Sequence, residues 1–170
     1  MKKIVTKLLI ITTIILTVFC VSGCSIKADT LTSLETVNVE ISGNSMYPTL
    51  KNGEKVKAVK AKEIKRGDIV VIGNENNFLN GNYVDSSWVI KRVAAVEGDT
   101  VKSVDGVVYI NDEVYVANTK DFPGVLKTSY EITLGRGEYF VIGDNFSVSK
   151  DSRVWETKVV PEENIAYKVV

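Results

Sequence analysis

VKSVDGVVYINDEVYVA, residues 101 to 117, decides the fold class of this 170-residue chain. Three short runs, VKSV, GVVYIN and EVYVA, are rich in β-branched and aromatic residues, and the dipeptides Asp105-Gly106 and Asn111-Asp112 separate them. A two-residue hairpin loop needs positive φ, which glycine adopts without a Cβ penalty, so Asp105-Gly106 between two such runs predicts an antiparallel hairpin. The same grammar extends outward. VNVEI (37 to 41) alternates apolar with polar residues, the pattern of a half-buried strand. KVKAV (55 to 59), DIVVIG (68 to 73), SWVIKRVAAV (87 to 96), YEITL (130 to 134) and EYFVIG (138 to 143) read as further strands, with turn signals at Asn52-Gly53, Arg66-Gly67-Asp68 and Gly98-Asp99. Only Ala61 to Lys65 reads as a short helical patch, and no internal repeat is present. The expected fold is mainly β, built of antiparallel sheets.

Composition narrows the function classes. An apolar content of 45% argues for a folded core. The 21 basic and 21 acidic residues cancel, so charge gives no reason to expect a nucleic-acid partner. Cys20 and Cys24 both lie in the N-terminal apolar region, which excludes disulfides and cysteine zinc sites from the main domain. Lys2, Lys3 and Lys7 precede a stretch from Leu8 to Ile26 that carries no charged side chain. That run is just long enough to span a bilayer, which takes about 20 residues, and the positive-inside rule puts everything after it outside the cytoplasm. It serves either as a retained transmembrane anchor or as a removed signal segment. Val21-Ser-Gly-Cys24 resembles the lipobox of bacterial lipoproteins, in which cleavage before the cysteine leaves it lipid-bearing. The expected organisation is an anchor or lipoprotein-type signal segment over 1–26, a tether rich in Ser and Thr over 27–36, and an extracytoplasmic catalytic domain over 37–170.

The chain contains no histidine. SGNSMYPTL, residues 42 to 50, offers a serine among small residues beside a rigid proline, and an activating base other than imidazole is required. A lysine qualifies only when neutral. Lys91 lies within WVIKRVAAV, an apolar strand whose burial would disfavour the ammonium and pull its pKa down from about 10.4; the alternative is a lysine pointing outward from an edge strand. GDNFSVSKDSRVW, residues 143 to 155, packs a turn, three hydroxyls, two carboxylates and an arginine together, with Asp151 and Arg153 positioned to form an ion pair. Ser147 and Lys150 fit the S-x-x-K spacing of penicillin-binding proteins, but that chemistry needs a helical domain and partner motifs absent here.

Taken in order behind an apolar N-terminus, SGNSMYPTL, RGDIVVI (66 to 72), VIKRVAAVEGD (89 to 99) and GDNFSVSKDSRVW resemble the successive signature boxes of the bacterial type I signal peptidases. The resemblance covers about residues 39 to 170. It implies the signal-peptidase and SOS-repressor-protease type of β fold and a serine endopeptidase that removes signal peptides from exported preproteins without cofactor or metal. It further implies Ser45 as nucleophile, Lys91 as general base, Ser149 as the hydroxyl that orients the lysine amine, Asp151 and Arg153 as the supporting ion pair, and Gly143 with Asp144 as the turn that shapes the site. The Ser45 backbone N–H would donate to the oxyanion. A second donor in some members is a hydroxyl two residues before the nucleophile, where this chain has Gly43. Phe146, where a charged residue is usual, Glu156, where glycine is common, and a segment from Trp155 to Pro161 about two residues longer than usual depart from the pattern.

The expected partners are secretory preproteins and membrane lipids, with the protein at the bacterial cell membrane as a single-pass protein or lipid-anchored through Cys24. Phe78, Tyr83 and Trp88 would meet membrane or substrate, with the core as the preferred place for Trp88. Two rivals share some features. A self-cleaving regulator of the SOS-repressor type uses the same Ser-Lys chemistry but lacks a membrane segment, and a non-enzymatic surface lipoprotein would need only the lipobox.

Overall fold

The computed structural model describes residues 36–73, 88–116 and 129–170, all within one compact unit, Leu34–Val170. Its strands in chain order are β1 (Thr36–Glu40), β2 (Lys55–Lys60), β3 (Ile69–Gly73), β4 (Trp88–Ala95), β5 (Thr100–Val104), β6 (Val107–Ile110), β7 (Glu113–Val116), β8 (Tyr130–Thr133), β9 (Glu138–Ile142), β10 (Val160–Pro161) and β11 (Ile165–Val169). A 3-10 turn, Glu162–Asn164, joins the last two. They form a seven-stranded sheet in the order β1-β2-β11-β3-β4-β9-β10 and a four-stranded sheet in the order β7-β6-β5-β8, and every pairing is antiparallel.

The hairpins follow from their turns. Val104 pairs with Val107, which leaves Asp105 and Gly106 as the loop, at φ of 49° and 80°. Ile110 pairs with Glu113 across Asn111 and Asp112, at 51° and 65°. Two consecutive positive φ values give the loop the twist that matches right-handed strands. Strand β9 joins the two sheets: Tyr139 and Val141 pack with Val70, Val93 and Trp155 in one core cluster, while Phe140 and Ile142 pack with Val101, Val108 and Val116 in another. A third cluster, Ile41, Met46 and Leu50, lies under the 42–50 turn.

The sequence reading departs from the structure at three places. Ala61 to Lys65 is not helical: Ala61 N–H donates to the Ala166 carbonyl at 3.0 Å, Lys65 N–H donates to the Asp68 side chain at 2.8 Å, and Glu63 has φ of 48°. Tertiary partners override a weak local preference there. Strands β10 and β11 have no counterpart in the sequence reading, the first because it is two residues long, the second because IAYKV is half-buried along most of its length and shows no clean alternation. Trp88, expected in the core, is 44% exposed. Among the described residues no helix is long and apolar enough to cross a membrane. The 1–26 and 27–35 segments, Phe78 and Tyr83 lie outside the described residues.

Candidate active site

The 42–50 turn is built to present Ser45 above a buried anchor. Met46, the next residue, is 1% exposed and packs with Ile41 and Leu50, against which Ile69 and Ile90 also rest. The turn closes through Tyr47 N–H to the Asn44 carbonyl at 3.2 Å and Leu50 N–H to the Met46 carbonyl at 3.0 Å. Gly43 has φ of 88°, a conformation that favours glycine, and its N–H donates to Asn52 Oδ1 at 2.7 Å. Ser45 therefore stands partly exposed on a turn held from below and from both ends.

Lys91 comes from the middle of β4. Its partner across β3 is Val70, and it is 4% exposed, so the outward-facing alternative does not describe this side chain. Its Nζ donates to Ser45 Oγ at 3.1 Å and to the Ile90 carbonyl at 2.9 Å. Burial pulls its pKa from 10.5 down to about 8; Asp151 acts against that fall and Arg153 adds to it. An amine near pKa 8 is neutral in a useful fraction at neutral pH and has a lone pair to accept a proton.

The 143–155 loop closes the site from the other side. Asp151 and Arg153 are both fully buried and meet through Arg153 Nε to Oδ1 at 2.7 Å and Nη2 to Oδ2 at 2.8 Å. Asp151 also accepts from the Gly143 N–H at 3.0 Å, while Arg153 donates to the carbonyls of Phe146 and Ser149, each at 3.1 Å. The pair thus ties both ends of the loop to its middle, and almost every charge-bearing atom has a partner, as buried charges require. Gly143 leaves no room for a side chain: a Cβ there would collide with Ser149 Oγ and fall 2.5 Å from the Ser45 carbonyl. Ser149 itself is fully buried, and its hydroxyl has no hydrogen-bond partner. The expected Ser149 bond to the lysine amine is not made in this structure.

Asp144 points elsewhere. It receives Arg92 in a two-point pair, Nε to Oδ1 at 2.8 Å and Nη2 to Oδ2 at 2.6 Å, and Arg92 also donates to the Gly67 carbonyl at 2.7 Å. Burial would raise the Asp144 pKa, but hydrogen bonds from Arg92 and Thr49 outweigh it and hold the carboxyl below its ordinary value. Period-two alternation places Arg92 opposite Lys91, so one dipeptide serves the site with one side chain and its scaffold with the other.

Asn145 was missed as a functional position. Its N–H donates to the Ser45 carbonyl at 2.9 Å and its Nδ2 to the Asn44 carbonyl at 3.1 Å, clamping the serine turn to the loop. The signal was available in Gly143-Asp-Asn145, where only the first two residues received roles. Ser147 donates to Asn145 Oδ1 at 3.0 Å, on a turn rather than a helix, which removes the S-x-x-K alternative. Phe146 stands with its ring 5.8 Å from the Arg153 guanidinium, a placement that gives this departure from the family pattern a local role. A cleft of about 540 Å³ opens beside Ser45 and Lys91, with Val39, Ile41, Val71, Trp88 and Ile90 among its walls.

The arrangement is that of a serine hydroxyl, a depressed lysine and an apolar groove, and comparison with known proteins identifies the family. The family model for "Signal peptidase, peptidase S26" matches residues 4–170. Signal peptidase I T of Bacillus subtilis is 36% identical over 126 residues, covering 66% of this chain and 61% of that protein. Signal peptidase IB of Staphylococcus aureus is 34% identical over 153 residues, covering 76% of this chain and 73% of that protein. The chloroplast thylakoidal processing peptidase 1 of Arabidopsis thaliana is 36% identical over 141 residues, covering 76% and 39%. The crystal structure of a signal peptidase I from Enterococcus faecalis aligns with a TM-score of 0.41 at 23% identity, covering 61% of this chain and 94% of that one. The chain spans about three-fifths of the length of several of the Bacillus relatives it matches. With nearly its whole length matched by the family model, the chain belongs to the signal peptidase family, peptidase S26.

Proposed function

We propose that this protein is a membrane-tethered serine endopeptidase that removes signal peptides from exported preproteins, with Ser45 as nucleophile and Lys91 as general base. The observation that carries this reading is the 3.1 Å contact between Lys91 Nζ and Ser45 Oγ, made by a buried amine whose pKa has fallen to about 8 in a chain without histidine. In the neutral form of the lysine the contact runs the other way, with the Ser45 hydroxyl donating to the amine lone pair. As Oγ attacks the scissile carbonyl carbon, its proton passes to Lys91 and the carbonyl π pair moves to oxygen. The Ser45 N–H is the oxyanion donor this reading assigns, because Gly43 has no side-chain donor and its N–H is engaged by Asn52. Lys91 then protonates the leaving amine as the C–N bond breaks, and a water activated by the same lysine hydrolyses the acyl-enzyme.

Family membership and the groove support the substrate class of this reading. Among the described residues strand β1 pairs only with β2, which leaves its outer edge open, and it lines the cleft with the first half of β4. An extended peptide laid between them can add its backbone to both edges. Small side chains at the first and third positions before the cut are what the family implies. Asp151 and Arg153 support the loop, Gly143 and Asp144 shape its entry, and Ser149 is the orienting hydroxyl. The tether is the apolar 8–26 run, retained as an anchor or replaced by lipid on Cys24, which leaves the 37–170 domain on the extracytoplasmic side.

The test is cleavage of a precursor bearing an Ala-x-Ala site in membranes that carry the full chain. Ser45→Ala and Lys91→Ala each reduce the rate by at least about 10³-fold, and Lys91→Arg does not rescue because guanidinium stays charged. Cleavage by the unaltered enzyme rises with pH through about 8 and then levels, following deprotonation of Lys91. Unchanged cleavage in both alanine variants ends the peptidase reading. Intact mass of the membrane-extracted chain separates the tethers, a lipid-modified start at Cys24 ruling out the anchor.

A further inference from the structure

The 143–155 loop ends in a single turn whose last carbonyls are held by a lysine. Val154 N–H and Trp155 N–H both donate to the Asp151 carbonyl, at 2.9 and 3.0 Å. The carbonyls of Arg153 and Trp155 come after that turn and look for donors elsewhere, as carbonyls do at the end of a helix. Lys158 folds back to meet them: its Nζ donates to the Trp155 carbonyl at 2.6 Å and, at a longer 3.3 Å, to the Arg153 carbonyl. The residues that follow fix where this side chain emerges, since Val160 is buried in the first core cluster and Val159 packs against the second. Lys158 lies outside the signature boxes, in the Trp155 to Pro161 segment whose extra length departs from the family pattern.

The same amine has a seat on the other sheet. Lys158 Nζ lies 5.2 Å from the centroid of the Tyr130 ring, within the range at which an aromatic face attracts a cation. Tyr130 belongs to β8, and its ring leans on Phe140 at 6.4 Å. The Tyr130 hydroxyl is buried without a hydrogen-bond partner, so the contacts that place this residue are those of its ring. Burial raises the pKa of the phenol, Asp151 adds to the rise and Arg153 opposes it, which puts Tyr130 within electrostatic reach of the ion pair. Burial also pulls the Lys158 amine below the ordinary lysine value. This is a half-buried group, not a solvated surface lysine.

The ion pair in turn acts on Lys91. Burial lowers the affinity of that amine for its proton, Asp151 opposes the fall and Arg153 assists it, so the base depends on how the pair sits and how well the loop excludes water. The Arg153 guanidinium is fixed by Asp151 and by the Phe146 and Ser149 carbonyls, and Lys158 holds its backbone end. Resting on the Ser-Lys reading above, we infer that Lys158 is a positioning residue for the reaction: seated on Tyr130, it keeps the Arg153 end of the loop closed and so holds the Asp151–Arg153 pair in place relative to Lys91. It acts through Arg153 and not on the substrate. Without it the turn opens, water reaches the Lys91 amine and Arg153 repels the proton less, and both changes make that amine harder to deprotonate.

The experiment uses the full chain in detergent with a peptide carrying an Ala-x-Ala site, and follows kcat/KM from about pH 6 to about pH 11, because that profile reports the free enzyme. Lys158→Met keeps the stem and removes donor and charge. Its rising limb moves up by about one pH unit, which lowers kcat/KM about tenfold near pH 7 and restores it on the plateau. Lys158→Arg keeps a cation that donates and stacks on aromatic faces, and stays within about threefold of the unaltered enzyme. Tyr130→Phe leaves the profile unchanged, since only the unpartnered hydroxyl is lost, whereas Tyr130→Leu removes the seat and moves the limb in the same direction as Lys158→Met. A Lys158→Met profile that levels at the original pH, whatever its urea midpoint, overturns the inference, because Lys158 is then a strut with no hold on the base. It is equally overturned if Lys158→Arg shifts as far as Lys158→Met, or if the two Tyr130 variants agree, a comparison that decides the matter even where Lys158→Met does not fold. None of these results touches the Ser-Lys assignment, which stands or falls with the Ser45→Ala and Lys91→Ala variants.

Discussion

The two sheets treat charge in opposite ways. Across the four-stranded sheet, residues 100 to 133, no ionisable side chain among the described residues belongs to the fully buried set; Lys102 and Glu131 meet on the surface at 3.4 Å with both side chains well exposed. The seven-stranded sheet and its 143–155 loop bury Lys91, Asp151 and Arg153 within a few ångströms of the core. Its buried charges stabilise little by themselves, because desolvation offsets most of their attraction. What the difference teaches is that one sheet is a packed and paired structural element, while the other holds charges out of water, as the proposed Ser-Lys chemistry requires of an amine that must be easily deprotonated.

Breaking each ion pair tests that contrast most severely. Arg153→Ala leaves Asp151 buried without its cation and releases the Phe146 and Ser149 carbonyls, an expected loss of about 3–5 kcal/mol. Set against a total stability of about 5–15 kcal/mol, urea denaturation of this variant shows a domain near or past the threshold of folding. Lys102→Ala removes the exposed pair and costs less than about 1 kcal/mol. Equal midpoints for the two variants would mean that the buried pair is not the strut the geometry makes it.

A smaller effect carries a sign. The Lys91 amine binds its proton with a pKa of about 8 in the folded state against 10.5 when unfolded. Between those values the unfolded chain holds more protons, so stability rises with pH across this window; below about pH 8 both states are protonated and the full penalty is present. Lys91→Met removes the titration. The stability of the unaltered protein relative to Lys91→Met therefore increases by about 3 kcal/mol from pH 8 to pH 10.5, read by urea melts across that range. A flat difference would show that the amine is not held in a desolvated site.

Sequence reading served the two regions unequally, for physical reasons. The four-stranded sheet is written in local terms: turns such as Asp105-Gly106 and runs such as VVYI carry their own conformational preference, and the observed strands end within a residue or two of the boundaries expected. Ser45 and Lys91 were legible because the absence of histidine and the apolar surroundings of one lysine are visible in one dimension. That their atoms meet was not, since it depends on the β3–β4 register and on a loop 46 residues away in sequence from the nucleophile's partner. The clamp by Asn145 and the empty Ser149 hydroxyl are properties of packing between segments about 100 residues apart. Strand β11 escaped for a related reason, because a central strand whose faces are both half-covered loses the alternation that announces an edge strand.

The mildest substitution separates the regions most cleanly. Gly106 sits at φ of 80° in the β5–β6 loop, and an alanine there must hold a left-handed backbone at a cost of about 1 kcal/mol. The register of that hairpin is also fixed by the pairs Val101 with Ile110 and Ser103 with Val108, whose buried members contribute to the second core cluster, so the strands remain in place while the loop is strained. Among the described residues, the cleft beside Ser45 and Lys91 draws none of its walls from this sheet. Gly106→Ala should accordingly lower the urea midpoint by a modest amount and leave kcat, KM and the pH at which cleavage levels unchanged. A shift in that pH would show that strain in the four-stranded sheet reaches Lys91 through β4 or β9, each of which places residues in both cores, and the division of labour between the sheets would have to be abandoned.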